Sequence, residues 1–310
     1  MTLRIMNAGP QATLQGNQRA GYRYSGIPSS GPADLISHAI ANRLVGNHAS
    51  ESGIEITYGP FSAEFRAPAA IALAGAVAPT SLNGRMASFH ETVFVKQGDF
   101  LEVGRPDHGL RTYLAISGGI VGDEFLESGS TYLPAGLGGF GGRALRSGDV
   151  VETSPGTEMA LGRERTPDAL KFPLGNSFAL RASEGPDYTG GGVPLWTEQY
   201  KATRRASRIG IELDGAFPEI DAIANLPSAG IFPGALQLPP QGRGFLLLPD
   251  CQTTGGYPHI LQVNRSDRHL LGQIRPGDSV MFLHRTREQA AGDLMKKQEL
   301  IASWIHGFRL

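Results

Sequence analysis

Nine residues, D-C-Q-T-T-G-G-Y-P from Asp250 to Pro258, put an acid, an amide, two hydroxyls, a phenol and the chain's one cysteine into a single turn. Such groups can bond a small amide or carboxylate, move a proton, or supply a thiolate nucleophile. A reactive thiolate needs a base or a helix N-terminus to lower its pKa, and His259 is close enough in sequence to reach across a hairpin. Cys251, however, follows the apolar run G-F-L-L-L-P, where a free cysteine behaves as a small buried hydrophobe. A structural cysteine is therefore expected. The other polar groups exceed what a turn needs. Gly255 and Gly256 let the backbone approach a ligand, so Gln252, Thr253, Thr254, Gly255 and Tyr257 are read as a ligand-gripping loop. The competing reading is a turn whose Thr and Asp side chains bond their own backbone.

The stretch S-S-G-P-A-D, Ser29 to Asp34, carries a second possibility. Exposed N–H groups at a helix start hold anions, and Arg19 lies just upstream. An ordinary N-cap is the simpler alternative. G-L-G-G-F-G, Gly136 to Gly141, fits the dinucleotide fingerprint by letter, but R-A-L-R-S-G-D follows it where a helix should open, so a glycine-rich loop is expected. No phosphate-loop motif is present. The eight histidines are scattered without metal-ligand spacing, and no metal is expected.

These residues need a scaffold, and 42 glycines and 21 prolines indicate one made of short strands and turns. Glycine is near twice its usual share of about 7%. Strands are expected at Ala70–Ala74, Thr92–Lys96, Phe100–Val103, Arg111–Ser117, Phe178–Ala182, Arg208–Leu213, Gly244–Leu248, Ile260–Asn264 and Ser279–His284. Gly-Asp precedes a strand three times, in Q-G-D-F-L-E-V, S-G-D-V-V-E-T and P-G-D-S-V-M-F. The spacing of Leu35, Ile36, Ala39, Ile40 and Leu44 predicts a helix with Pro32 at its first position and Asp34 in its first turn, ending at Gly46 and Asn47. A second helix starts at Thr286, boxed by Gln289, and carries Ala290, Leu294, Ile301 and Ile305 towards the C-terminus. The charged, proline-flanked segment Gly156 to Gly175 divides the chain into lobes 1–172 and 173–310, the second with the C-terminal helix.

A net charge of −1 draws the chain towards neither nucleic acid nor an anionic membrane. One cysteine permits no internal disulfide. The longest apolar runs are strand-sized, well below the ~20 residues of a membrane span. A cytoplasmic protein is expected.

The motifs recur together in one family. G-I-P-S-S-G-P-A-D, E-I-T-Y-G-P, R-T-Y-L-A-I-S-G-G-I, L-G-G-F-G-G-R-A-L, P-G-A-L-Q-L-P-P-Q-G, D-C-Q-T-T-G-G-Y-P-H-I and Q-I-R-P-G-D-S-V-M-F come in that order. The chain thereby resembles the biotin-dependent carboxyltransferase family, also called allophanate hydrolase subunit 2, over nearly its whole length. The family includes the C subunit of ATP-dependent 5-oxoprolinase and half of the carboxyltransferase domain of urea carboxylase. The resemblance implies a mainly β fold of two cyclophilin-like β-barrel lobes with a few short helices. It implies a subunit 1/B partner, with a LamB/YcsF-type subunit as a further one, and the end of the chain soon after its last helix is expected to mark a separate subunit.

The activity implied is opening of a cyclic amide, 5-oxoproline to glutamate, by a complex in which this chain is inactive alone. ATP enters at the level of the complex. The alternatives are a urea- or amide-directed carboxyltransferase with biotin on a separate chain, and a regulatory subunit binding a kinase-inhibitor partner. On this reading Asp250, Tyr257 and Arg208 are the catalytic candidates. Gln15, Arg19, Ser30, Asp34, Arg111, Gln237, Gln252, Thr253, Thr254 and Gly255 are the candidate binders of a small amide or lactam. Three motifs depart from the family pattern. Gly16 stands where an acid is usual, Gly129 where an arginine is usual and Ser207 where an acid is usual.

Overall fold

The Gly-Asp turns launch strands by one device, used three times. In the computed structural model, which describes residues 2–155, 162–190, 195–218 and 226–310, Gly98, Gly148 and Gly277 all have left-handed φ (85°, 93° and 93°), where a side chain would be strained. The following aspartate folds back on its own turn. Asp99, Asp149 and Asp278 accept the backbone N–H three residues earlier, from Lys96, Arg146 and Arg275, at 2.7, 2.8 and 2.8 Å. Each turn opens a strand, at Phe100–Val103, Val150–Glu152 and Ser279–His284.

The chain forms two compact units. The first comprises Met1–Arg19, Ser30–Leu174 and Ser303–Phe308. It contains two antiparallel sheets. One runs in the order Val150–Glu152, Thr2–Asn7, Phe61–Phe65, Phe100–Val103, Thr80–Leu82 and Arg85–Met86. The other runs Gln11–Gln15, Gly53–Thr57, Arg111–Ile116, Ala69–Gly75 and Val93–Val95. Leu3, Ile5 and Phe61 of the first share one core with Leu14, Ile54 and Leu114 of the second. Helix α1, Leu35–Leu44, packs Ile36, Ala39, Ile40 and Leu44 fully buried, largely against Ala69–Gly75 and Arg111–Ile116. It starts later than its sequence suggests. Asp34 is the N-cap, accepting from the N–H groups of Ile36 and Ser37, and Pro32 lies outside the helix. The carboxylate satisfies two orphan donors, which sets the helix start at Leu35, so Pro32 precedes the cap.

The second unit comprises Ala20–Ser29, Gly175–Ala302 and Arg309–Leu310. Its seven strands close into a barrel in the order Ser177–Glu184, His259–Val263, Ala235–Gln237, Gly244–Leu247, Gly210–Asp214, Gln199–Ala206 and Ser279–His284. The first and last are parallel neighbours. Helix α2, Arg287–Ala302, opens with the expected box: the Thr286 N–H donates to Gln289 Oε1 and the Gln289 N–H to Thr286 Oγ1. It stops at Ala302, short of Ile305, and of its residues only Ile301 is buried. Ion pairs from Asp293 to Arg181 and Arg285 help hold it to the barrel. Within the charged segment Gly156–Gly175, residues 156–161 lie outside the described residues.

The mainly β fold class is borne out, with each expected strand present within a few residues. Other strands were not anticipated, because charge on their solvent face masks the alternation. Gln199–Ala206 buries Tyr200 and Ala202 while pointing Gln199 and Lys201 outward. Among the described residues no helix is long and apolar enough to cross a membrane.

Candidate functional site

In the second unit the strand Gly244–Leu247 delivers Asp250 and Cys251 to the barrel wall. Asp250 meets Arg208 in a two-pronged ion pair, Nε to Oδ2 at 2.8 Å and Nη2 to Oδ1 at 3.1 Å. The two side chains are 1% and 2% exposed. An acid and a guanidinium locked together out of solvent brace the loop, and neither offers a surface to a small substrate. Cys251 is buried among Ile231, Ala235 and Leu247, with Phe245 against them. Burial pushes its thiol up to about 11, so it is protonated and inert at neutral pH, as a structural cysteine should be.

The rest of the loop divides. Thr253 accepts the Ile231 N–H through its carbonyl, and Thr254–Gly255 pair as a short strand with Ala229–Gly230. Gly255 is required by a neighbour: a Cβ there would lie 2.6 Å from Gln237 Nε2. The Gln252 side chain turns outward and donates to Gln237 Oε1 at 3.3 Å, while Gln237 Nε2 donates to the Tyr257 carbonyl at 3.2 Å. Gln237, Gln252 and Tyr257 line a cavity of about 480 Å3. Asp250, Arg208, Thr253, Thr254 and Gly255 do not line it.

Sequence reasoning missed the rest of the lining. Arg205, Glu212, Arg243 and Phe245 line the same cavity, with Gln241. Neighbouring strands of the barrel bring Arg205, Glu212 and Phe245 together from distant positions. Glu212 accepts from Thr203 Oγ1 (2.9 Å), Arg243 Nη1 (3.1 Å) and Arg205 Nη1 (3.3 Å). Burial pushes its carboxyl up, but these donors outweigh that and keep it below the usual carboxylate range. The cavity therefore offers two guanidiniums held by one carboxylate, together with two carboxamides and a phenol. Gln241 was the available signal, sitting in the motif P-G-A-L-Q-L-P-P-Q-G.

In the first unit the remaining predicted residues serve mainly to organise the start of α1. Glu55, fully buried, accepts from Arg111 Nε at 3.2 Å, Tyr113 Oη at 2.8 Å and the Ala33 N–H at 2.8 Å. The Asp34 N–H donates to Tyr113 Oη at 2.8 Å. With Ile36 and Ser37 bonded to Asp34, the N–H groups of residues 33, 34, 36 and 37 are occupied. The oxyanion role suggested for this stretch is thus filled from within, and the N-cap alternative holds. Arg19, 1% exposed, donates to the carbonyls of Phe125 and Ser130. Gln15 donates to Thr13 Oγ1 and the Thr131 carbonyl, while neither its buried Oε1 nor the buried Ser30 Oγ has a partner among the described residues. Ser30 also sits at φ 50°, a strained position for a residue with a Cβ. His38 was not anticipated. It contacts the Gln15 carbonyl and lies edge-on to Tyr113, and burial holds it at about 4, hence neutral.

A family model described as "Carboxyltransferase domain, subdomain A and B" matches residues 25–284. The chain belongs to that family. It is 34% identical over 292 residues to the C subunit of 5-oxoprolinase from Escherichia coli (strain K12), covering 93% of each chain. It is 29% identical over 318 residues to urea amidolyase of Saccharomyces cerevisiae, spanning 94% of this chain but 17% of that protein. The crystal structure of the K. lactis urea amidolyase superposes with a TM-score of 0.90 at 26% identity, covering all of this chain and 20% of that one. The chain thus spans about a fifth of the length of the urea amidolyases.

Within this carboxyltransferase-domain chain two of the three departing positions are neighbours in space. A Cβ at Gly16 would lie 2.7 Å from Ser52 Oγ, and a Cβ at Gly129 would lie 2.9 Å from the same atom. Both glycines thus border the Ser52 hydroxyl. The third departure is conservative. Ser207 Oγ accepts the Ile209 N–H at 3.1 Å, a local bond that aspartate also makes.

Proposed function

We propose that this chain is one subunit of an ATP-dependent 5-oxoprolinase-type amidohydrolase, converting 5-oxoproline to glutamate together with a subunit 1/B homologue and a LamB/YcsF-type subunit. The observation that carries this is the 34% identity to the C subunit of a 5-oxoprolinase across 93% of both chains. The cavity beside Gln252 supports it chemically. A five-membered lactam with one carboxylate needs a cation for the carboxylate and an amide partner for the ring N–H and carbonyl. Arg205 and Arg243 supply the first, and Gln252, exposed at the cavity, the second. The buried Gln237 is fixed by the Tyr257 carbonyl and accepts from Gln252, so the Gln252 amide is held in register before substrate arrives. Opening the ring builds charge on the carbonyl oxygen, and donors aimed at that oxygen lower the barrier. The Tyr257 hydroxyl, on a half-exposed side chain at the cavity wall, is placed to share a proton with the leaving nitrogen.

ATP is not assigned to residues of this chain. A glycine-loop phosphate cradle of the nucleotide-binding kind presents free N–H groups at a helix start. The glycine-rich loop 136–142 leads into no helix, and Cβ atoms at Gly139 and Gly142 would collide with Thr131 and Gly136. On this reading ATP belongs to the assembled complex.

A second reading, transfer of a carboxyl group to urea or another small amide, is favoured by the family description and by the match to the K. lactis urea amidolyase. Its biotin would arrive on another chain. Co-purification with the subunit 1/B homologue and the LamB/YcsF-type subunit, followed by glutamate release from 5-oxoproline with ATP, tests the proposal. Turnover by the complex and none by the isolated chain is expected. Carboxylation of urea from carboxybiotin, without 5-oxoproline turnover, would establish the second reading instead. Assembly with neither activity would contradict both.

A further inference from the structure

Two arginines of the second unit, Arg23 and Arg268, approach the segment beside Cys251, and the charge of the exposed Arg265 acts on the second. Arg23, in the short 3-10 turn Arg23–Ser25, donates through Nη2 to the carbonyls of Ile231 and Gln252. Its guanidinium lies 5.3 Å from the centre of the Phe232 ring and 4.0 Å from Cys251 Sγ. Its Nε and Nη1 are buried and have no hydrogen-bond partner among the described residues. Arg268 approaches the same segment from the 3-10 helix Arg268–Gln273. A Cβ built on Gly234 would sit 3.3 Å from its Nε, whose one bond is a long 3.5 Å contact to the Val263 carbonyl. Burial, with the charges of Arg265 and Arg23, drops the Arg268 guanidinium to about 10. Among the described residues no aspartate or glutamate pairs with any of the three. Asp250, adjacent to Cys251, is closed in its pair with Arg208.

Such a cluster costs free energy when empty. Each buried N–H without a partner forfeits its hydration, and like charges at short range repel. One oxyanion would repair both defects, since a guanidinium bonds two oxygens of a phosphate or carboxylate in parallel. The Phe232 ring, half exposed, flanks the Arg23 guanidinium and shields it from water. None of Arg23, Arg265 and Arg268 lines the cavity of Gln237 and Gln252.

We propose that Arg23 and Arg268, with Arg265 at the rim, form a second binding subsite for a compact oxyanion, a phosphate or a carboxylate group, against the 231–234 segment. The subsite does not depend on the amidohydrolase reading.

The test uses the whole chain, titrated by calorimetry and by thermal unfolding with inorganic phosphate in one arm and acetate in the other. Sodium chloride at matched ionic strength is the control. Saturable binding of one of the two anions is expected, and the arm that saturates identifies the class. Arg23→Gln and Arg268→Gln should each weaken it about tenfold or more, as loss of a charge-assisted pair does. Arg204→Gln, outside the cluster, should leave it unchanged. Should either variant fail to fold, Arg265→Gln, at an exposed position, reads the same site through a smaller loss of affinity. Absence of saturable binding by the wild-type chain in both arms would overturn the proposal. So would binding that survives in every folded variant of the cluster.

Discussion

Replacing Asp250 with alanine separates a bracing role from a catalytic one. The carboxylate and Arg208 are almost wholly buried and joined by bonds of 2.8 and 3.1 Å. Deleting one member of such a pair leaves an uncompensated buried charge, at a cost of about 3–5 kcal/mol. For a unit of this size each kcal/mol lowers the melting temperature by about 2–4 °C, so Asp250→Ala should melt roughly 10 °C lower. Removing both charges should cost much less, because the desolvation of the pair is removed with it. Asp250→Leu/Arg208→Met should therefore recover most of the loss. Urea titration followed by circular dichroism measures both variants. If Asp250→Ala kept its stability while abolishing turnover in the complex, the bracing account would fail and the acid would belong to the chemistry.

Further outcomes follow from the same structure. Cys251 should resist iodoacetamide at neutral pH and be modified only as pH approaches 11 or the barrel is unfolded, with accessibility read by mass spectrometry. An acid whose folded pKa is raised loses stability as pH climbs above its unfolded value, so Cys251→Ala should flatten the stability decline between about pH 9 and 11. His38 and His269 are bases held at about 4 and about 3 by burial. Their contribution is complete above the unfolded pKa of about 6.5 and is lost as pH falls through the window down to about 4. His38→Leu should shallow that acid limb, by an amount on the order of 3 kcal/mol between its ends. Restoring the family pair as Gly16→Asp/Gly129→Arg, with Ser52→Gly to make room, should show favourable coupling in a double-mutant cycle. Additive losses instead would mean that positions 16 and 129 do not meet.

Much of the scaffold was readable because its signals are local. A Gly-Asp turn closes within four residues, so Gly98, Gly148 and Gly277 announce their strands without reference to the rest of the chain. The box at Thr286 is equally local. The site was half readable. Gln237, Gln252 and Tyr257 stand in recurring motifs, and all three line the cavity. The rest of the lining depends on strand pairing, which brings Arg205, Glu212 and Arg243 together from neighbouring strands and the turn before Gly244. The ion pairs of Arg208 with Asp250 and Arg111 with Glu55 span 42 and 56 positions. No spacing rule connects residues so far apart, so arginines that look like ligand holders in sequence prove to be held themselves.

The most direct test of the account is paired measurement on Gln252→Ala: its unfolding, and kcat/KM for 5-oxoproline in the complex with the subunit 1/B homologue and the LamB/YcsF-type subunit. Gln252 is exposed at the cavity and bonded to Gln237, so its removal should leave stability within about 0.5 kcal/mol. Loss of one hydrogen bond to the reacting amide should lower kcat/KM by about 1–3 kcal/mol of transition-state stabilisation, roughly five- to 150-fold. Full activity with a lowered melting point would contradict the account, making the loop a structural turn and moving substrate recognition elsewhere.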